Sequence, residues 1–142
     1  MDRRDFLDRS GQLCAAMLAI PALAGMGGCA AARPATAFTE ADGRVQLPGS
    51  MLAQGPVVLR PKGLDDPLWI GRDADGAPVA LVLRCPHKGG PVKEQGGVLT
   101  CAWHGSTFNA QGAVTKGPSK EGLRRLPARM EGEQVVVDLP RS

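Results

Sequence analysis

Two short stretches decide how this chain is read: Cys85-Pro86-His87-Lys88-Gly89-Gly90 and Cys101-Ala102-Trp103-His104-Gly105-Ser106-Thr107-Phe108. Thirteen residues, 88–100, lie between His87 and Cys101. The two stretches contain both histidines of the chain and two of its four cysteines; Cys14 and Cys29 lie near the N-terminus. Each stretch offers one thiol and one imidazole. Gly89 and Gly105 follow the histidines within two residues, and glycine lets backbone approach a bulky inorganic centre or adopt a positive φ. Three chemistries suit such a set. Four N and S donors can hold zinc tetrahedrally. Two cysteines of an exported protein can form a disulfide. Two thiolates and two imidazoles can also hold a two-iron cluster of mixed ligation.

The sequence around these stretches is built for strands. Of 142 residues, 43% are hydrophobic and 22% charged, which excludes disorder throughout. Nineteen glycines and twelve prolines break the chain too often for a helical protein. With three Phe, two Trp and no Tyr, the core must come mostly from Val, Leu and Ala. From residue 38 onward the apolar runs are short, with Gly, Pro and Asp between them. Strands are expected at 44–47, 57–60, 68–72, 79–84, 98–101, 113–115, 123–128 and 134–139. Asp73-Ala74-Asp75-Gly76 and Glu131-Gly132-Glu133 read as tight hairpin turns. No stretch of helical length shows a 3.6-residue apolar period. The expected fold is all-β: a small antiparallel β sandwich or partly open barrel that presents the two ligand stretches as loops.

Cys-x-His followed by Cys-x-x-His-Gly, with Ser106 and Phe108 close behind, resembles the Rieske [2Fe-2S] domain. The resemblance covers both loops and, more loosely, residues 38–142. Gly117-Pro118 resembles the family's proline-containing loop over the cluster, and the runs at 123–126 and 135–137 resemble its closing strands. The resemblance implies one [2Fe-2S] cluster per chain. Cys85 and Cys101 would ligate its buried iron, and His87 and His104 its outer iron. Exchanging two thiolates for two neutral imidazoles raises the potential of such a cluster from about −400 mV to roughly −150 to +300 mV. Ser106 stands where a family hydroxyl donates to a cluster sulfur. High-potential members carry a further cysteine in each loop, joined as a disulfide; Gly90 and Trp103 occupy those positions here, so that bridge is absent and a middle or lower potential is expected. Trp103 itself reads as a core residue or as a shield over the cluster.

The N-terminus reads as an address. Arg3-Arg4 followed by Phe6-Leu7 and an apolar run over 13–28 resembles a twin-arginine export signal. Met26-Gly27-Gly28 before Cys29 resembles a lipoprotein cleavage box, after which Cys29 would carry acyl chains and hold the protein on the membrane surface. The expected organisation is a signal segment over 1–29, a tether over 30–37 and the β domain over 38–142.

These readings define the function classes. Both histidines lie in the two loops, which leaves none for the two-His, one-carboxylate iron of an oxygenase within this sequence. The chain therefore reads as an electron-transfer component, not as an enzyme on its own. It would sit in the periplasm or on the outer face of the cytoplasmic membrane and pass single electrons between an oxidoreductase and a cytochrome. The alternatives are a quinol-oxidising subunit of a cytochrome bc-type complex and a zinc-stabilised binding lipoprotein. Lys88, Lys93 and Arg84 form either a solvated rim or a positive collar for an acidic redox partner. Arg124-Arg125, with no aromatic stacking residues beside it, does not read as a nucleic-acid patch, and the net charge of +3 adds no case for one.

Overall fold

The computed structural model describes residues 33–34 and 38–141. The expected signal segment with Cys14 and Cys29, and all of the expected tether except Arg33–Pro34, lie outside the described residues. In chain order the strands are β1 (Arg33–Pro34), β2 (Thr39–Ala41), β3 (Arg44–Pro48), β4 (Val57–Leu59), β5 (Leu68–Arg72), β6 (Pro78–Val82), β7 (Val92–Gln95), β8 (Val98–Cys101), β9 (Thr107–Phe108), β10 (Val114–Lys116), β11 (Arg125–Leu126), β12 (Ala128–Glu131) and β13 (Gln134–Asp138). One 3₁₀ helix, Gly49–Gln54, follows β3.

The strands form three open sheets: β1-β4-β5-β6-β11, β12-β13-β3-β2 and β10-β9-β8-β7. All pairings are antiparallel except β1 with β4, where Arg33 and Pro34 pair with Val57 and Val58. The five-stranded sheet is the middle layer. Side chains alternate along a strand, so β5 and β6 feed two cores. Leu68, Ile70, Ala80 and Val82 join Val45, Leu47, Val135 and Val137 in the first. Trp69, Val79 and Leu81 join Leu99 and Phe108 in the second, which also contains Cys85 and Cys101. This explains why 79–82 is an unbroken apolar run: both faces of β6 are covered. Each buried Val, Leu, Ile or Phe among them contributes about 1.5–3 kcal/mol on burial.

The antiparallel β sandwich is as expected, and both hairpin turns form. Gly76 N–H donates to the Asp73 carbonyl at 3.1 Å, and Asp73 N–H to the Ala77 carbonyl at 2.9 Å. Glu131 pairs with Gln134 across Gly132, whose φ is +60°. The expected strand 123–128 is instead two strands in different sheets. Pro127 has no N–H for a ladder, and the chain passes there from β11 in the middle sheet to β12 in the outer one. Strand 79–84 ends at Val82: Leu83 N–H turns to the Pro67 carbonyl at 2.8 Å, and Arg84 forms an isolated bridge with Pro91. Strands β1, β2, β7 and β9 were not expected from the sequence, and β1 falls in the stretch read as a tether. Their signals were present in two cases, because Asp42-Gly43 and Gly96-Gly97 both take the positive φ of a two-residue hairpin turn.

Candidate metal centre

The two ligand loops open at one end of the third sheet. The first leaves the middle sheet after β6 and enters β7; the second joins β8 to β9. Val92 pairs with Cys101, so the β7–β8 hairpin ties the loops together. Ala102 N–H also donates to the Pro91 carbonyl at 2.9 Å.

Both loops are built on the same hydrogen-bond frame. In the first, Cys85 N–H donates to the Gly90 carbonyl and Gly89 N–H to the Cys85 carbonyl, both at 2.8 Å. In the second, Cys101 N–H donates to the Ser106 carbonyl at 2.8 Å and Gly105 N–H to the Cys101 carbonyl at 3.1 Å. Gly89 and Gly105 have φ of +73° and +72°, which explains the glycine after each histidine. A Cβ at Gly105 would meet nothing within 4 Å, so backbone conformation alone selects glycine there.

Cys85 and Cys101 are free and buried, at 1% and 2% exposure. His87 and His104 are exposed. Their rings face each other edge to face, with centroids 5.1 Å apart. Burial pushes the Cys101 thiol up, but the backbone N–H groups of Trp103 and His104, together with the Cys85 thiol, outweigh it and hold Cys101 below the ordinary cysteine range. That favours the thiolate, the form that binds metal.

The donor set can be tested against the candidate groups. Among the described residues no three His, Cys, Asp or Glu side chains gather around one point that a metal ion could occupy. A tetrahedral zinc needs four donors converging within about 2.0–2.3 Å of one centre. The four donors are instead sorted into a buried sulfur pair and an exposed imidazole pair. This sorting suits a group with two metal positions in different environments, and the residues fit a [2Fe-2S] cluster.

Ser106 is fully buried, and its Oγ accepts the Ser119 N–H at 2.9 Å. Because that oxygen accepts here, the hydroxyl proton is left for another acceptor. The same bond ties the second loop to the segment after Pro118. Pro118, Ser119 and Pro86 line a recess of about 250 Å³ beside His87, so the proline segment lies against the first loop. Trp103 is not a core residue: it is 58% exposed at the tip of the second loop, where no layer covers it. Its ring covers Gly90, where a Cβ would stand 2.9 Å from the indole and 3.0 Å from Cys101 Sγ. Gly90 and Trp103 are thus in contact across the two loops. Of the basic collar, Arg84 and Lys88 line a cleft beside the first loop, whereas Lys93 projects from β7 outside it.

The Rieske [2Fe-2S] domain family model matches residues 48–127. A carotenoid phi-ring synthase of Chlorobaculum tepidum is 37% identical over 114 residues, covering 68% of this chain and 18% of the synthase. The cytochrome b6-f complex iron-sulfur subunit 2 of Trichormus variabilis is 28% identical over 133 residues, covering 76% of this chain and 73% of that subunit. Among solved structures, a plasma membrane Rieske protein of the cyanobacterium Synechocystis superposes with a TM-score of 0.52 at 26% identity, covering 61% of this chain and 88% of that one.

Proposed function

The chain belongs to the Rieske [2Fe-2S] domain family, and on that premise we propose that it is an exported electron-transfer protein or small redox subunit that passes single electrons between a periplasmic oxidoreductase and a cytochrome or similar carrier. The family's [2Fe-2S] cluster, when bound, supplies reversible one-electron transfer. The observation that carries the reading is the sorting of the donors. Cys85 and Cys101 would hold the cluster from the core side, and His87 and His104 from the solvent side, where their exposed edges give a partner access. Ser106 presents a buried hydroxyl with its proton uncommitted, which would stabilise extra negative charge on a neighbouring sulfur and raise the potential. Gly89 and Gly105 let the loops turn closely enough to present these groups.

Export is supported by Arg3-Arg4, the apolar run after it and Cys29. A twin-arginine route suits a protein whose cluster is inserted in the cytoplasm, because that route transports folded cargo. Among the described residues no helix is long and apolar enough to cross a membrane. Attachment at the outer face of the cytoplasmic membrane would come through the N-terminal segment or through acylated Cys29.

A second reading, a quinol-oxidising subunit of a cytochrome bc-type complex, is favoured by the b6-f relative, because the chain spans most of that subunit. The Gly90–Trp103 contact weighs against it, since high-potential members resembling this chain hold a disulfide there.

The test is an EPR spectrum of the reduced protein purified with its iron, followed by redox titration of the signal. A rhombic mixed-ligand signal with a middle or low potential supports the carrier. A potential near the top of the family range selects the quinol-oxidising reading. Bound zinc without iron refutes both. Mass spectrometry of the mature N-terminus, with Arg3→Lys/Arg4→Lys as the export-defective comparison, tests the address.

A further inference from the structure

A cleft of about 990 Å³ runs beside the first cluster loop, with Cys85, Pro86 and Gly89 on one wall. Five cationic side chains line it: Lys62, Arg84, Lys88, Arg124 and Arg141. They come from widely separated parts of the sequence, and all five are exposed. Three acids, Asp65, Asp66 and Glu121, also line the cleft, which leaves a positive excess. Of the five side chains, Arg84 alone forms an ion pair among the described residues, with Asp66 at 3.4 Å, while the Glu40 carboxylate accepts from the Lys62 backbone N–H at 2.7 Å. Lys62, Lys88, Arg124 and Arg141 form no ion pair among the described residues. Concave walls of one charge sign focus the field and raise the local concentration of oppositely charged groups.

The cleft also has a direction. Pro86 and Glu121 line both the cleft and the recess at His87, so the two spaces share a wall. A chain lying in the cleft would bring whatever it belongs to against the His87 edge. The Arg84 guanidinium packs on Gly89, 3.0 Å from where a Cβ would stand, and so faces the cleft from the loop that holds His87.

We propose that this cleft is the docking groove for an extended acidic segment of the redox partner, which seats its carboxylates on Lys62, Arg84, Lys88, Arg124 and Arg141 and places the partner at the His87 edge. The proposal rests on the electron-transfer reading above. The groove would set the encounter rate and the docking orientation, while the exposed imidazoles provide the contact through which the electron passes.

The test uses the full chain with its cluster and a fluorescently labelled oligoglutamate peptide at about 0.1 M ionic strength, where the Debye length is about 10 Å. Binding is followed by anisotropy, and the EPR signal is recorded on the same samples. Lys62→Glu/Arg124→Glu, two positions away from the cluster ligands, should weaken peptide binding about tenfold or more, because each reversal replaces an attraction by a repulsion within a Debye length. Lys93→Glu/Lys116→Glu makes the same change in net charge outside the cleft and should leave binding within about twofold. Equal weakening by both pairs would overturn the groove in favour of diffuse attraction. Tighter binding to phosphatidylglycerol vesicles than to the peptide, lost in Lys62→Glu/Arg124→Glu, would overturn it in favour of a lipid surface. Protein without a cluster signal that still binds peptide through the cleft would sink the carrier reading alone. Cluster-loaded protein that ignores the peptide would sink the groove alone.

Discussion

Replacing Gly90 by alanine should loosen the grip of both loops on the cluster at once. Gly90 is buried and does not adopt a positive φ, so its backbone tolerates a side chain and the effect comes from space alone. The added methyl would stand 2.9 Å from Cγ and Cδ2 of Trp103 and 3.0 Å from Cys101 Sγ, where ordinary contacts begin at 3.4 Å. The neighbours must therefore retreat by roughly 0.5 Å or more. The two neighbours differ in their freedom to do so. Trp103 is 58% exposed and can swing into solvent, but Cys101 is buried and its backbone is pinned by the Ser106 and Gly105 hydrogen bonds. Overpacking of this kind costs about 1–3 kcal/mol. For a domain of about 100 residues that is a fall in Tm of roughly 5–20 °C. Thermal unfolding followed by circular dichroism and by the visible absorption of the cluster measures it. Gly90→Ala/Trp103→Ala separates the two contacts: if the sulfur is the rigid one, removing the indole should restore less than half of the loss. A Gly90→Ala protein with unchanged Tm and unchanged cluster absorption would refute the reasoning, because it would mean that the loops part without cost.

Three further outcomes are expected. Ser106→Ala leaves the buried Ser119 N–H without its acceptor, for a loss of about 1–3 kcal/mol, and lowers the midpoint potential; denaturant melts and redox titration read the two effects separately, and Ser106→Thr should recover the potential. Gly105→Ala, with open space around its new methyl but φ at +72°, should cost about 1–2 kcal/mol, and Gly105→Asn less, by the same melts. His104→Cys would exchange a neutral ligand for a charged one and lower the potential on the order of 100 mV or more; a titration that finds no downward shift would remove His104 from the ligand set.

The candidate ligand loops stand out in the sequence because histidine and cysteine are rare in this chain. Two histidines and two cysteines outside the N-terminal segment leave few ways to group them, and the glycine after each histidine marks a left-handed turn that the structure contains. The antiparallel sandwich was legible from short apolar runs and turn residues. Strand β7 escaped because three of its four residues, Lys93, Glu94 and Gln95, are charged or polar, and β9 because it is only two residues long. The break at Pro127 was visible as a residue type but not as a change of sheet, which depends on where β12 finds its partner. Trp103 misled because an indole reads as core, whereas its exposure follows from its place at a loop tip. The basic cleft was only partly legible: Arg84 and Lys88 stood out with Lys93 as a rim of the first loop and Arg124 with Arg125 as a pair, but no local pattern brings Lys62, Arg124 and Arg141 to the same wall.

The chain leaves the middle sheet at the end of β6 and returns to it at β11, which lies directly beside β6, with Leu81 opposite Arg125 and Ala80 opposite Leu126. All four candidate ligands, Cys85, His87, Cys101 and His104, and the proline segment at Pro118 fall inside that excursion. Its two ends are neighbours, so the whole unit can be lengthened, shortened or exchanged without breaking one rung of the host ladder. The host sheets keep a core of Val45, Leu47, Val135 and Val137 to which the excursion contributes nothing. A cluster-binding unit arranged in this way is a cassette. Its loops can vary in length and chemistry while the first core stays intact, but Trp69, Val79 and Leu81 tie the stability of the host sheet to Leu99 and Phe108 of the insert, so a new scaffold would have to offer an apolar sheet face for it.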